Sequence, residues 1–146
     1  SIISSDKKQT KGHKLRHQII SKANNKIDVF GRGYRPIDNK IEGLQDYRFH
    51  FVIENVKKDY WFTEKLIDSF ITGTIPIYWG CPSIGDFFNT DGMIIFNDLL
   101  ELKEKLKMCT EEFYNEKLDA IKDNFEVAKK YTLAEDWIYD NILSND

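Results

Sequence analysis

The sequence predicts an α/β domain built on a Rossmann-like, doubly wound parallel sheet and followed by a helical C-terminal segment. Short apolar runs alternate with helical patterns along the first hundred residues. None of these runs shows the in-and-out alternation of a half-exposed strand, as expected when helices cover both faces of a sheet. After the last run the pattern becomes helical, which favours an open α/β architecture.

Length and composition fit one domain, residues 1–146, with an ordinary core. The chain is 41% hydrophobic and 14% aromatic, which excludes wholesale disorder. Its 21 basic and 24 acidic residues give a net charge of −3, which argues against a general nucleic-acid binder. The two cysteines, Cys81 and Cys109, form no C-x-x-C pair, so neither a disulfide scaffold nor a zinc knuckle is expected.

Five apolar runs predict the strands. They are residues 2–5, 27–30, 49–53, 75–79 and 93–96. Since the carboxyl ends of parallel strands share one edge of the sheet, loops that follow these runs are the places where a ligand is expected.

Apolar residues at three- and four-residue steps predict the helices. Residues 10–22 form the first, and residues 63–72 form the second, with Thr63 as its N-cap and Gly73 as its end. Beyond residue 99 the periodicity indicates amphipathic packing helices, and a last helix is expected around residues 133–143.

Potential chemistry concentrates in residues 47–80. Here a buried strand ends in Glu54 and Asn55, an aromatic loop follows, and the next helix begins with Glu64 and Lys65. A helix N-terminus with a lysine suits a phosphate, and a carboxylate suits the hydroxyls of a sugar. The same pattern also fits a helix-start acid, a surface lysine and core aromatics, and the residues alone leave both interpretations open.

This segment resembles the signature of the α1,3/α1,4-fucosyltransferases, glycosyltransferase family 10. The match runs from Phe49 to Gly80 and extends more weakly over most of the first hundred residues. The positions in register are Glu54, Asn55, Thr63, Glu64, Lys65, Gly73, Pro76 and Gly80. The resemblance implies the C-terminal, donor-binding half of a two-lobed (GT-B) glycosyltransferase that uses GDP-fucose.

The resemblance also implies roles for single residues. Arg16 and Lys65 would contact the diphosphate, both lining an open cleft, while Glu64 would hold the ribose and Asn55 would reach the phosphate region. The family often has a tyrosine three residues before the Glu of the Thr-Glu-Lys triplet. Trp61 occupies that place here, with Tyr60 before it, so both are included in the expected donor site.

The acceptor-binding lobe of the family, with its proposed catalytic base, has no counterpart in this chain. We therefore expect the catalytic base outside it. No D-x-D triplet occurs in the sequence, and the expected donor site needs neither metal nor cofactor. His13 and His17 have the spacing of two metal ligands on one helix face, but no third ligand has support from a motif.

The sequence thus predicts a fucosyltransferase-like donor domain for inverting transfer of fucose to a sugar hydroxyl of a glycan. The alternative is a non-catalytic nucleotide-binding or interaction domain of the same fold. A nicotinamide enzyme is disfavoured, because the G-R-G-Y-R-P turn is not the dinucleotide fingerprint. With no signal peptide and no membrane-spanning run, we expect a cytoplasmic or peripheral membrane protein of a prokaryote or virus.

Overall fold

The computed structural model describes the backbone of residues 1–138 and the side chains of residues 1–133. Five parallel strands form one sheet in the order β2-β1-β3-β4-β5. The strands are β1 (Ile2–Ile3), β2 (Val29–Phe30), β3 (Phe49–Ile53), β4 (Ile75–Trp79) and β5 (Ile94–Ile95). The predicted α/β class and doubly wound parallel sheet are confirmed.

Within residues 1–138, five α-helices surround the sheet. They are α1 (Lys11–Lys22), α2 (Glu64–Ile71), α3 (Leu99–Lys105), α4 (Glu111–Glu116) and α5 (Leu118–Ile138). A short 3-10 helix, Lys40–Gly43, lies between β2 and β3. No helix in the described part of the chain is long and apolar enough to cross a membrane.

The side chains of the central strands divide between two cores because successive residues point to opposite faces of a sheet. On one face, Phe51 and Ile77 pack with Ile19 of α1 and Leu102 of α3. On the other face lies a core formed by Val52, Leu66, Phe70, Tyr78 and Ala128, which brings α2 and α5 against the sheet. Both faces of the central strands are therefore covered, as predicted from apolar runs that do not alternate with polar residues.

The two helices that border the predicted site begin as their sequences indicate. Thr10 caps α1 and Thr63 caps α2, each through a side chain that accepts a backbone N–H of the first turn. Gly73, with φ of 71°, ends α2 in the left-handed region. The start of α1 lies so close to the end of β3 that a Cβ on Gly12 would stand 1.8 Å from the carbonyl oxygen of Glu54.

Several predicted boundaries need correction. The runs at residues 2–5, 27–30 and 93–96 form strands of only two residues each. The run at residues 27–30 ends at Phe30 as predicted but loses its first two residues, which come directly after the turn at the left-handed residues Asn24 and Asn25, with φ of 47° and 62°. The separate terminal helix at residues 133–143 is wrong as far as the structure describes it, because α5 runs unbroken from Leu118 to Ile138 without a Gly or Pro to end it. Residues 139–143 and the side chains of Trp137 and Ile138 lie outside the described part.

The order of the strands places a topological switch point between β1 and β3. From β1 the chain passes through α1 to β2 at one edge, and it then returns to β3 and continues through α2 to β4. The helices that follow β1 and β3 thus pack on opposite faces of the sheet, which opens a gap above the carboxyl ends of these two strands.

Candidate functional site

Three of the predicted site residues line one crevice near this switch point. Arg16 comes from α1, and Glu64 and Lys65 come from the first turn of α2. The crevice has a volume of about 180 Å³ and lies between α2 and the 3-10 helix, with Lys40 and Asp68 also in its wall. We call it the charged crevice.

Arg16 is held at the end of β3 rather than free in an open cleft. Its Nε and Nη2 atoms donate to the carbonyl oxygen of Ile53 at 3.2 and 2.9 Å, and Nη2 also donates to Asn55 Oδ1 at 2.6 Å. The residue is only 5% exposed, so the expectation of an open position is wrong for Arg16. Burial lowers its pKa and the charge of Glu54 opposes this shift, but an arginine stays protonated in proteins.

The Arg16 side chain nevertheless keeps donor capacity toward the crevice. Its Nη1 atom donates to no residue that the structure describes. In the described part of the chain, every fully buried side-chain nitrogen has a hydrogen-bond partner. Since Nη1 has none, it is not fully buried and is accessible. An oriented guanidinium with a free donor suits a phosphate oxygen, because its fork is fixed before the ligand arrives.

Glu54 is the residue whose role the sequence reasoning missed. It is fully buried, and its carboxylate accepts hydrogen bonds from the Thr63 N–H and Oγ1–H at 3.0 and 2.7 Å. Burial raises the pKa of Glu54, while the two Thr63 hydrogen bonds and the charge of Lys65 oppose the shift. Glu54 thus ties the start of α2 to the end of β3. The sequence did contain a signal, namely a carboxylate at the end of an apolar run. A buried carboxylate destabilises the fold unless a hydrogen-bond partner compensates it.

The first turn of α2 presents a charged pair to the crevice. Lys65 Nζ lies 3.3 Å from Glu64 Oε1, and both side chains are partly exposed. Burial alone would raise the pKa of Glu64, but Lys65, the helix start and Lys40 outweigh it and lower the pKa. Glu64 is thus an ionised acceptor beside a cation at a helix N-terminus.

His13 adds a polar group that the sequence reasoning left without a role. It is 8% exposed, and its Nδ1 accepts the backbone N–H of Thr10 at 3.2 Å. The neutral ring therefore carries its proton on Nε2. Burial, followed by the charges of Arg16, Lys7 and Lys65, lowers the pKa of His13.

The remaining predicted residues, Asn55, Tyr60 and Trp61, are not in the wall of the charged crevice. Asn55 orients Arg16. Tyr60 is 72% exposed with φ of 58°, and its backbone N–H donates to Ser83 Oγ at 2.8 Å. Trp61 is 48% exposed. The donor contacts predicted for these three residues stay predictions.

The histidine pair does not form a metal site. His17 is occupied on both ring nitrogens, by the carbonyl of Lys7 and the hydroxyl of Tyr34, each at 2.9 Å. Among the residues that the structure describes, no three His, Cys, Asp or Glu side chains are grouped to hold a metal ion.

A second cavity is larger than the charged crevice. This apolar cavity, of about 640 Å³, opens between the C-terminal half of α1 and α3. Its wall includes Ile19, Phe51, Leu99 and Leu102, and its lysines include Lys103. It contains none of the predicted site residues.

Comparison with known proteins decides the family. Residues 1–138 match the model of the glycosyltransferase family 10 (fucosyltransferase) C-terminal region. The chain belongs to this family. Over 74 residues it is 38% identical to the alpha-(1,3)-fucosyltransferase FucT of Helicobacter pylori, a match that covers 51% of this chain and 15% of that protein. It is 34% identical over 73 residues to a putative fucosyltransferase-like protein of Arabidopsis thaliana, covering 48% of this chain and 14% of that protein.

Solved structures of alpha1,3-fucosyltransferase share the fold. A crystal structure with GDP superposes with a TM-score of 0.64 and 25% identity, covering 97% of this chain and 46% of that chain. One with GDP-fucose gives a TM-score of 0.63 and 27% identity, covering 84% of this chain and 38% of that chain. The chain thus spans less than half of the solved enzymes that it matches.

Proposed function

We propose that this chain is the donor-binding part of a fucosyltransferase. It binds GDP-fucose for inverting transfer of fucose to a sugar hydroxyl. The observation that carries the proposal is the meeting of Arg16, Glu64 and Lys65 in one crevice at the switch point of the sheet. Family membership supports the reaction class, and solved relatives with GDP and GDP-fucose support the donor.

The diphosphate is neutralised by two cations from opposite sides of the switch point. Arg16, fixed by Ile53 and Asn55, offers its accessible Nη1, and Lys65 offers a compact charge at the start of α2. As the glycosidic bond breaks, negative charge grows on the departing phosphate. Donors that are already oriented stabilise this charge without reorganising.

The ribose is held by Glu64. Its ionised carboxylate is an acceptor for two neighbouring hydroxyls. Glu64 lies next to Lys65, and in a nucleotide the ribose lies next to the phosphate, so the order of the two residues matches the order of the two groups. Glu64→Gln should weaken GDP binding and leave inorganic pyrophosphate binding unchanged. Equal weakening of both ligands would remove this assignment.

The chain performs only part of the reaction. A base must lie within hydrogen-bond reach of the acceptor hydroxyl, and we propose that it belongs to an acceptor-binding lobe outside residues 1–146. Because aligning the reactants supplies roughly 7–11 kcal/mol of the barrier, this chain alone should bind the donor but transfer almost no fucose.

Metal independence is part of the same proposal. Arg16, Lys65 and the N-terminus of α2 supply positive charge that a metal ion would otherwise provide. GDP affinity should therefore be the same in EDTA as in Mn²⁺ or Mg²⁺. An affinity that collapses in EDTA and returns with either cation would contradict it.

Thermal stabilisation by nucleotides tests the proposal. GDP and GDP-fucose should stabilise the chain by about 2.7 kcal/mol at a hundredfold excess over the dissociation constant, whereas UDP and NAD should not. GDP-mannose serves as the control for the sugar. A response to NAD alone would overturn the proposal in favour of a nicotinamide enzyme, and a response to no nucleotide would overturn it in favour of a non-catalytic interaction domain. The predicted cytoplasmic or membrane-peripheral location stays a prediction.

A further inference from the structure

The apolar cavity between α1 and α3 reaches from the surface to the sheet. Its wall includes Phe51 of β3, Ile19 of α1 and Leu102 of α3. These side chains are 5%, 5% and 4% exposed and belong to the core cluster of that face. The volume of about 640 Å³ is within the range of small-molecule sites, roughly 300–1,000 Å³, which are mostly apolar. The cavity therefore has the size and the lining of a ligand site.

The charge around this cavity has one sign. Lys22, Lys26 and Lys103 lie in its wall, and no Asp or Glu among the described residues lines it. All three lysines are exposed, and we call them the cavity lysines. The chain as a whole has more acidic than basic residues, with a net charge of −3. A wall with three lysines and no acid thus differs from the average surface of this protein.

The cavity lysines have no acid partner in the described part of the chain. The acids of α3 are paired with other lysines. Glu101 lies 2.8 Å from Lys105, and Glu104 lies 2.7 Å from Lys107. An anion at the mouth of the cavity would therefore meet three cations whose charge no described acid compensates.

The volume of the cavity favours an acyl chain over a helix as its occupant. A helix about 10 Å across takes up roughly 400 Å³ per turn, so 640 Å³ holds only about one and a half turns. A helix also has polar backbone groups at its ends, whereas an acyl chain has no polar group to desolvate against Phe51 and Leu102. Methylene groups in the cavity and an anionic head at its mouth would satisfy both parts of the wall.

We propose that the apolar cavity binds a free fatty acid. The acyl chain lies against Ile19, Phe51 and Leu102, and the carboxylate lies among the cavity lysines. The inference does not rest on the proposed function, because none of the residues assigned to the donor lines this cavity.

Decanoate and decan-1-ol test the proposal, because they share one chain and differ in the charge of the head. At pH 7 and low salt, the intact 146-residue chain should bind decanoate about tenfold more tightly than decan-1-ol, since exposed ion pairs add modestly to affinity. Octanoate should bind about fifteenfold more weakly than decanoate, because each buried methylene contributes about fourfold. Calorimetric titration measures all three affinities.

A cavity-filling variant tests the place of the chain. Ala23 lies in the cavity wall at the end of α1, where its φ of −73° and ψ of −18° suit any larger residue. Ala23→Phe should weaken decanoate and decan-1-ol at least about tenfold each, because the ring occupies the space of several methylenes.

A charge variant tests the place of the head. The double variant Lys22→Met/Lys26→Met keeps the side-chain stems, so it should weaken decanoate about fivefold and leave decan-1-ol unchanged. The matched control is Lys122→Met/Lys130→Met, which removes the same charge from exposed positions of α5. It should change neither affinity.

Four results would overturn the proposal. The first is no binding of decanoate, or equal affinity of the original chain for decanoate and decan-1-ol. The second is decanoate binding that persists in folded Ala23→Phe, and the third is an equal loss of decanoate affinity in the two double variants, which does not depend on Ala23→Phe. The fourth is binding to anionic phospholipid vesicles without binding to decanoate, which would make the cavity part of a membrane-contacting surface.

Discussion

Two hollows of this domain differ in size and in charge, and the smaller one carries the proposed donor site. The apolar cavity between α1 and α3 has about 640 Å³, whereas the charged crevice has about 180 Å³. Only the crevice brings together Arg16, Glu64 and Lys65. Volume alone would have favoured the cavity that contains none of the predicted site residues.

The walls of the two hollows differ in the free energy of burying their side chains. An apolar wall is stabilised by leaving water, whereas a buried charge destabilises the fold unless hydrogen bonds compensate it. Around the crevice that compensation is present, since Arg16 donates to the Ile53 carbonyl and Glu54 accepts twice from Thr63. We therefore base the proposed donor site on buried charges with fixed partners rather than on cavity volume.

The largest expected effect comes from the wall of the apolar cavity. Leu102→Ala should lower the free energy of unfolding by about 2–5 kcal/mol, because it removes a buried side chain and enlarges a hollow. GDP affinity should stay unchanged in the folded variant. Urea unfolding and calorimetric titration measure the two quantities. A large loss of GDP affinity would break the distinction between the two hollows.

Arg16 should show both effects at once. Arg16→Ala should weaken GDP by about 1.5–3 kcal/mol and lower the free energy of unfolding by about 1–3 kcal/mol, because it leaves the Ile53 carbonyl and Asn55 without their donor. The same two measurements apply. Arg16→Lys keeps the charge but loses the fork, so it should recover only part of each loss. Unchanged GDP affinity in both variants would remove Arg16 from the site.

Lys65 should affect binding alone. Its ammonium group pairs only with the partly exposed Glu64 among the described residues. Lys65→Ala should therefore weaken GDP by about 1.5–3 kcal/mol and change unfolding by at most about 0.5 kcal/mol. Lys103→Ala, at the apolar cavity, removes the same charge and is the matched control. Equal losses in titrations of the two variants would mean that net charge, not position, attracts the nucleotide.

The sequence was sufficient where local signals decide the structure. Residues 49–53 and 75–79 were predicted to the residue as strands, because each is a continuous apolar run bounded by polar or glycine residues. The predicted cap Thr63 marks the start of α2. The resemblance to family 10 assigned Arg16, Glu64 and Lys65 to one donor site, and the structure brings these three residues into one crevice.

Contacts between distant residues could not be predicted. The partner that buries Arg16 is a backbone carbonyl 37 residues away, and a carbonyl leaves no signature in a sequence. Likewise, the ion pair of Lys40 and Asp68 joins segments that nothing in the residue pattern connects. The sequence thus indicated Arg16 as a site residue, but not that Arg16 also supports the fold.

The smallest expected effect concerns acid, and it arises from His50 in the wall of the charged crevice. Burial is the main cause that lowers the pKa of His50 from 6.5 to about 3. Because the folded-state pKa is below the unfolded one, the unfolded chain takes up the proton first as the pH falls. Stability contributed by neutral His50 is therefore complete above its ordinary pKa of 6.5 and is lost progressively toward pH 3.

Between pH 6.5 and about pH 5.5 this linkage should lower the free energy of unfolding by about 1 kcal/mol, because the slope approaches about 1.36 kcal/mol per pH unit only as the unfolded ring becomes fully protonated. Urea unfolding at several pH values measures the slope, and His50→Gln should flatten it. The ring proton resonances of His50 give a check that does not need the variant to fold. They should not shift between pH 8 and about pH 5, because the neutral ring persists as long as the crevice wall stays intact. A titration midpoint near 6.5 would show that water reaches His50, in contradiction to its burial in the wall of the charged crevice.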